Sequence, residues 1–221
     1  MWRVSEREEW ARVRSIRYEA LRARGEIAET PERAYRDGHD ATLNSMTFGL
    51  LYDGHMIGTT RSSVSSAACR WPLPAHEAFS HAIDFDLGAD STVVEASLML
   101  VHPSATTDPR TALFHLFRAH MLHCASEGAD WLICAVRDSQ VGFYRRMFGM
   151  EVLSGAEKDT VLDSPRVLMG LAYRDQAALL ARRMPLLATT GPEEHDFATS
   201  GLIAFRPDRR GSPRVSRGMD P

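Results

Sequence analysis

Three observations predict an α/β (α+β) fold built on one mixed sheet. The segment Val93–Val101 is an apolar run interrupted only by Glu95 and Ser97 and ended by His102-Pro103, the pattern of a buried strand. A helical pattern and a second apolar run, Trp131–Val136, follow it. Strand, crossover helix and strand in that order set two neighbouring strands parallel. Upstream, residues 48–52 and 56–64 flank Asp53-Gly54, a strong two-residue hairpin signal that adds antiparallel strands.

The elements follow in order. Ser5 with Glu8 three places on reads as a capping box opening the first helix, and Trp10, Val13, Arg17, Ala20 and Leu21 share one face of it. Arg17 therefore sits among core-facing positions, either snorkelling at the core edge or serving a site. Gly25 ends the helix. Residues 26–46 are irregular and carry Asp37-Gly38-His39-Asp40, which is either plain turn chemistry or a pair of acids awaiting a cation such as Arg17 or Arg61. Pro72 and Pro74 break the chain before a short helix expected near 77–83, which would cover a pocket or cap the sheet edge. Asp108-Pro109 supplies an N-cap and a first-turn proline. Leu113, Leu116, Phe117, His120, Met121 and Cys124 then recur at helical spacing up to Gly128. A helix over 139–148 stops at Gly149, a strand is expected at 167–173, and a helix over 175–184 stops at Pro185. Residues 189–200 read as polar loop and 202–205 as a last edge strand. From Arg206, Arg, Pro, Gly and Ser dominate, so one domain over 1–205 with a disordered basic tail over 206–221 is expected.

Bulk properties narrow the function. The 221 residues suffice for one well-buried domain, and a net charge of -3 argues against a dedicated nucleic-acid binder. No apolar run approaches the roughly 20 residues of a membrane span. Three cysteines without metal-type spacing, and no signal-peptide pattern, lead to the expectation of a reducing cytoplasm. His120 and His123 share a helix side, but no acid completes a ligand set, so no metal is expected. The informative residue is Glu95. An acid inside a buried strand needs water, a partner or a substrate, and a structural arginine pair and a catalytic carboxylate both satisfy that need.

The order of elements resembles the GNAT acyltransferase fold over about residues 10–175. The hairpin at Asp53-Gly54, the strand ending Val101-His102-Pro103, the helix after it and the segment from Phe143 through Tyr144, Arg145 and Arg146 to Glu151 carry the likeness. That resemblance implies an acyl thioester lying in a splay between the two parallel strands. Its phosphates would rest near Val101 and the next helix start, at Arg110 and Thr111. The loop 104–112 departs from the family in having no glycine, and Asp108 would repel an anion there.

A narrower branch is similar: the N-acyl amino acid synthases and the acyl-homoserine-lactone autoinducer synthases. Arg17-Tyr18-Glu19 resembles the branch's Arg-Tyr-Glu, Asp37 and Asp40 its Asp-x-x-Asp, Gly58 to Arg61 its Gly-x-x-Arg, and Glu95 with Ser97 the start of its Glu-x-Ser-Arg. Leu98 stands where the autoinducer synthases have arginine, which favours an amino acid or another small amine as acceptor. The resemblance implies a soluble N-acyltransferase with no tightly bound cofactor. Its co-substrate would be acyl carrier protein, or coenzyme A, bearing the acyl group. Glu95 would be the general base and Tyr144 the proton donor to the leaving thiolate. Backbone N–H groups around Leu98 to Leu100 would hold the oxyanion if the strand bulges there. Arg17, Asp37, Asp40 and Arg61 would order the N-terminal loop over a substrate pocket that includes Ser97, Leu98 and Leu100. Arg110, Arg118, Arg145 and Arg146 would steer an acidic carrier, and Leu98, Leu100, Phe114 and Phe117 would line an acyl channel. A coenzyme A-dependent acetyltransferase and a non-catalytic acyl-ligand sensor of the same fold are the alternatives.

Overall fold

The computed structural model describes residues 1–88, 90–159, 162 and 164–200. The expected strand at 202–205 and the basic tail lie outside the described residues. One seven-stranded sheet runs β1 (Trp2–Arg3), β2 (Ser45–Tyr52), β3 (His55–Ser65), β4 (Val93–Val101), β5 (Trp131–Val136), β7 (Arg166–Ala172), β6 (Glu151–Glu157). Among the described strands only β4 and β5 pair in parallel. The helices are α1 (Arg7–Ala23), α2 (His76–His81), α3 (Pro109–Glu127), α4 (Asp138–Phe148), α5 (Tyr173–Arg183) and α6 (Gly191–Ser200). The expected mixed sheet flanked by helices is thus the observed one. No described helix is long and apolar enough to cross a membrane.

Local signals explain most boundaries. Asp53 and Gly54 have φ of 49° and 76°, the left-handed pair a tight two-residue hairpin needs. The Asp108 carboxylate accepts from the N–H groups of Arg110 at 3.3 Å and Thr111 at 3.1 Å, while Gly128 closes α3 at φ 59°. At α1 the expected Ser5–Glu8 box is displaced by one residue. Glu9 accepts from the N–H of Ser5 at 2.9 Å and of Glu6 at 3.0 Å. It also takes the indole N–H of Trp2, so the same carboxylate ties β1 to the helix.

Alternation along β4 sorts its side chains. Val94 and Ala96 join the core beneath α3 with Phe117, Met121 and Leu132, which turns Glu95 and Ser97 to the opposite face. On that face Leu100 packs with Tyr18 and Leu21 of α1. Pairing between β4 and β5 covers only Val93, Val94 and Glu95 against Trp131, Leu132 and Ile133. Beyond Glu95 the strands part, the splay that the resemblance to the acyltransferase fold implies. A bulge accompanies the parting. Leu98 adopts φ 50°, and Leu98 and Met99 together stand opposite Thr60 of β3. An extra residue bends and twists a strand, and a left-handed leucine costs on the order of 1–3 kcal/mol.

Two expectations change, and one strand joins the sheet without a sequence signal. Residues 151–157 form an edge strand whose side chains are mostly exposed on both faces, so no alternation marks it. Residues 191–200 form a helix rather than a loop. Its one large apolar anchor, Phe197, stacks on Phe48 with ring centres 5.5 Å apart. Arg118 is not a surface charge. It is buried, donating to the carbonyl oxygens of Leu186, at 2.8 Å, and Ala188, and pairing with Glu193 at 2.6 Å.

Candidate active site

Glu95 ends the paired part of β4 and sits on the wall of a cavity of about 140 Å³ between α1, α2 and the parting strands. It is 1% exposed. Its Oε2 accepts the N–H of Ala75 at 2.8 Å, and no ion pair reaches it among the described residues. The alternative of a structural arginine pair is therefore not what the fold provides. Burial pushes its pKa up to about 7, with the Ala75 N–H and the nearby Arg61 pulling the other way. A carboxylate poised there can accept a proton near neutral pH. The short helix after Pro74 covers this cavity: Pro74, Ala75, Ala78 and Phe79 form part of its wall.

The four charged residues of the N-terminal half come together beside it. Arg17 is fully buried rather than snorkelling, and its Nη1 meets Asp40 at 2.6 Å while Nη2 donates to Thr47 at 3.3 Å. Arg61, also buried, meets Asp37 at 2.9 Å and Asp40 at 3.5 Å, and its Nε donates to Ser97 Oγ at 3.1 Å. Asp37 further accepts the N–H of His39 at 2.8 Å and so caps the 3₁₀ turn Gly38–Ala41. Although partial burial pushes its pKa up, Arg61 and these contacts hold Asp37 below the usual carboxylate range. The lattice thus fastens the irregular loop to α1, to β3 and, through Ser97, to the bulged part of β4.

Across the cavity stand Tyr144 and Cys134. Tyr144 is 6% exposed, and no hydrogen bond to its hydroxyl occurs among the described residues. Burial raises its pKa far above the ordinary phenol value, so it is a neutral hydrogen-bond donor at any physiological pH. Cys134 is buried too, and its thiol is pushed up by burial with a smaller push from Glu95. A thiol held protonated in this way is a poor nucleophile.

A second ionic group on the cavity wall was not foreseen. Glu26, 2% exposed, pairs with Arg166 and lies 3.6 Å from Arg137 Nε, while Arg166 Nε lies 3.5 Å from Asp159. Glu26 and Arg166 are far apart in the chain, and neither interrupts an apolar pattern, so nothing local marks them. Arg24, Tyr35 and Gln140 also line the cavity.

Of the residues expected to meet substrate, Ser97, Leu98 and Leu100 line the cavity with Glu95 and Tyr144. Val101, Arg110, Thr111 and Arg145 do not. Val101 packs near Leu50 and Leu116, and Arg110 and Arg145 are exposed. Thr111 gives its N–H and, at 3.0 Å, its hydroxyl to Asp108. Phe114 and Phe117 are core residues, not channel walls: Phe117 stacks on Phe148 at 3.7 Å, and Phe114 meets the same ring edge-on at 5.7 Å. His120 and His123 are bonded to Thr60, at 2.8 Å, and Ser62, at 2.7 Å. Burial lowers both of their pKa values, to about 3 and about 4.

Comparison with known proteins agrees with this architecture. The family model described as N-acyl amino acid synthase FeeM matches residues 12–172. Among solved structures, FeeM, an N-acyl amino acid synthase from uncultured soil microbes, superposes with a TM-score of 0.64 at 15% identity, covering 80% of this chain and 96% of that one. The acyl-homoserine-lactone synthase LasI gives 0.58 at 15% identity, with 80% and 91% covered. BjaI, described as a CoA-dependent acyl-homoserine lactone synthase, gives 0.56 at 13% identity, with 80% and 81% covered. A search of curated proteins finds no match. The structures establish the shared fold, and the family match spans the α1 face, the charged lattice, the parted strands and Glu95. The chain belongs to the FeeM family of N-acyl amino acid synthases and is an N-acyltransferase.

Proposed function

We propose that the protein moves a long acyl group from acyl carrier protein to the amine of an amino acid, in the cytoplasm. The single observation that carries this reading is Glu95, buried at the point where β4 and β5 part and without an ion pair among the described residues. A thioester threaded between the parted strands would bring its carbonyl to the bulge at Leu98, and the amine would lie against Glu95. Glu95 takes a proton from the ammonium, and the amine attacks the thioester carbon. Backbone N–H groups around Leu98 to Leu100 hold the oxyanion. Glu95, having passed the first proton to solvent, takes the second proton from the attacking nitrogen as the intermediate collapses; the C–S bond breaks, and Tyr144 protonates the departing thiolate and is reprotonated from solvent. Arg17, Asp37, Asp40 and Arg61 support the acceptor wall. Their worth to catalysis is positional, since Arg61 holds Ser97.

Acyl carrier protein is favoured over coenzyme A by the first turn of α3. Asp108 already occupies the N–H groups of Arg110 and Thr111, which would otherwise cradle a pyrophosphate. The exposed Arg110, Arg145 and Arg146 suit an acidic carrier surface. Coenzyme A is the second reading, because BjaI is described as CoA-dependent. The test is product analysis by mass spectrometry with matched acyl-carrier and acyl-CoA thioesters and a mixture of amino acids. N-acyl amino acids formed mainly from the carrier thioester support the proposal. Preferential turnover of the CoA thioester would replace the donor, and products from amines lacking a carboxylate would replace the acceptor.

A further inference from the structure

The cavity wall carries charge of two kinds in two places. Glu95 has Arg61, Asp37 and Asp159 as its charged neighbours. Arg24, at the C-cap of α1, instead faces Glu26, Arg137, Tyr144 and Arg166. In that second group the cations outnumber the carboxylate available to them. One oxygen of Glu26 accepts from Arg166, the other lies 3.6 Å from Arg137 Nε without a hydrogen bond, and Arg166 Nε lies 3.5 Å from Asp159. Arg24 is half-buried and lines the cavity. Among the described residues it has neither an ion pair nor a side-chain hydrogen bond. Burial depresses its pKa, Arg137 and Arg166 add to the effect, and Glu26 opposes it. A guanidinium keeps its charge in such a place, so the wall holds a partly desolvated cation with no ion pair among the described residues. A carboxylate entering the cavity would complete it, with a forked pair of charge-assisted hydrogen bonds.

We propose that Arg24 selects the acceptor by binding its carboxylate, so that one small zwitterion spans the cavity with its amine towards Glu95. The proposal rests on the N-acyl amino acid reading and adds the residue that tells an amino acid from a plain amine. It also gives Arg24 a role distinct from the Arg17–Asp40 and Arg61–Asp37 pairs, whose charges are already matched.

The test compares the parent protein, Arg24→Gln and Arg24→Lys, with a thioester that the parent uses and with an amino acid and its α-amide as rival acceptors. The parent is expected to prefer the acid. In Arg24→Gln the KM for the acid should rise roughly 10- to 100-fold, as for a lost charged hydrogen bond, while kcat changes little. The acid-over-amide preference should disappear, and Arg24→Lys should restore part of it. A parent that acylates the amide as readily as the acid, or a preference unchanged in Arg24→Gln, would overturn the proposal. If the parent acylates neither, the functional reading fails, and calorimetric titration of the amino acid decides Arg24 separately. Binding to the parent that is lost in Arg24→Gln upholds the anion site, and equal or absent binding overturns it.

Discussion

Buried charge is handled in opposite ways at two neighbouring places. In the lattice, Arg17 and Arg61 are enclosed together with Asp40 and Asp37, so each cation meets an anion within 2.9 Å. Glu95 is equally enclosed and meets one backbone N–H. Desolvation costs both, but only the lattice offsets it with opposite charge. The difference separates support from chemistry. Matched charges lock a loop in place, whereas an unmatched carboxylate binds a proton more tightly and so becomes able to move one near neutral pH.

The contrast is broken most directly at Glu95. Glu95→Gln should lower acyl transfer roughly 10²- to 10⁴-fold, the usual scale for a positioned general base, while the melting temperature holds or rises. Product formation within a few-fold of the parent would remove Glu95 from the chemistry. Arg17→Met should do the reverse. It leaves Asp40 short of its nearest partner, and breaking a buried pair destabilises by roughly 3–5 kcal/mol. Urea unfolding measures this, and a loss below about 1 kcal/mol would mean that the lattice is not structural.

Titration sharpens the same comparison, because the two acids have opposite signs. Glu95 has a folded pKa raised from 4.5 to about 7. Its contribution to stability is fully present below pH 4.5 and is lost as pH rises through about 7. The loss is at most roughly 3 kcal/mol from that shift. Asp37 has a depressed folded pKa, so its contribution is present above its ordinary value of 3.8 and is lost as pH falls below it. Unfolding free energies of the parent and Glu95→Gln, measured from pH 5 to 8, should therefore diverge in slope, with the decline confined to the parent. Over the same range kcat/KM of the parent should climb through about pH 7 and level off, as Glu95 loses its proton. The smallest effect belongs to the neutral wall: Tyr144→Phe should slow transfer about tenfold, or 1.4 kcal/mol, with stability unchanged. A fold-level collapse in this variant would make Tyr144 a packing residue.

What could be read in advance was whatever declares itself locally. Asp108-Pro109 and Asp53-Gly54 set their own backbone, and Glu95 stands out because an acid breaks an otherwise apolar strand. Arg17, Asp37, Asp40 and Arg61 stood out as a set through their likeness to the synthase branch's motifs, although the full burial of Arg17 did not, since a helical face does not reveal how deeply it sinks. The Glu26–Arg166 pair joins residues 140 positions apart, and no periodicity reports that. The edge strand at 151–157 has no buried face to impose alternation. The helix at 191–200 rests on Phe197, although Thr190 and Glu193, linked at 2.8 Å, carry a capping signal. Arg118 sat among apparent surface arginines because its acceptors, the carbonyls near Leu186, come from a distant turn.

The early end of the β4–β5 ladder has a consequence for measurement. Past Glu95, the main-chain groups that β4 turns towards β5 have no strand to shield them. A docked pantetheine arm would offer amides in the missing strand's place. Deuterium uptake along Ser97 to Leu100 would then report occupancy directly, exchanging readily in the empty protein and slowing once a thioester is threaded. Uptake at Val93 and Val94 would stay constant and serve as an internal clock.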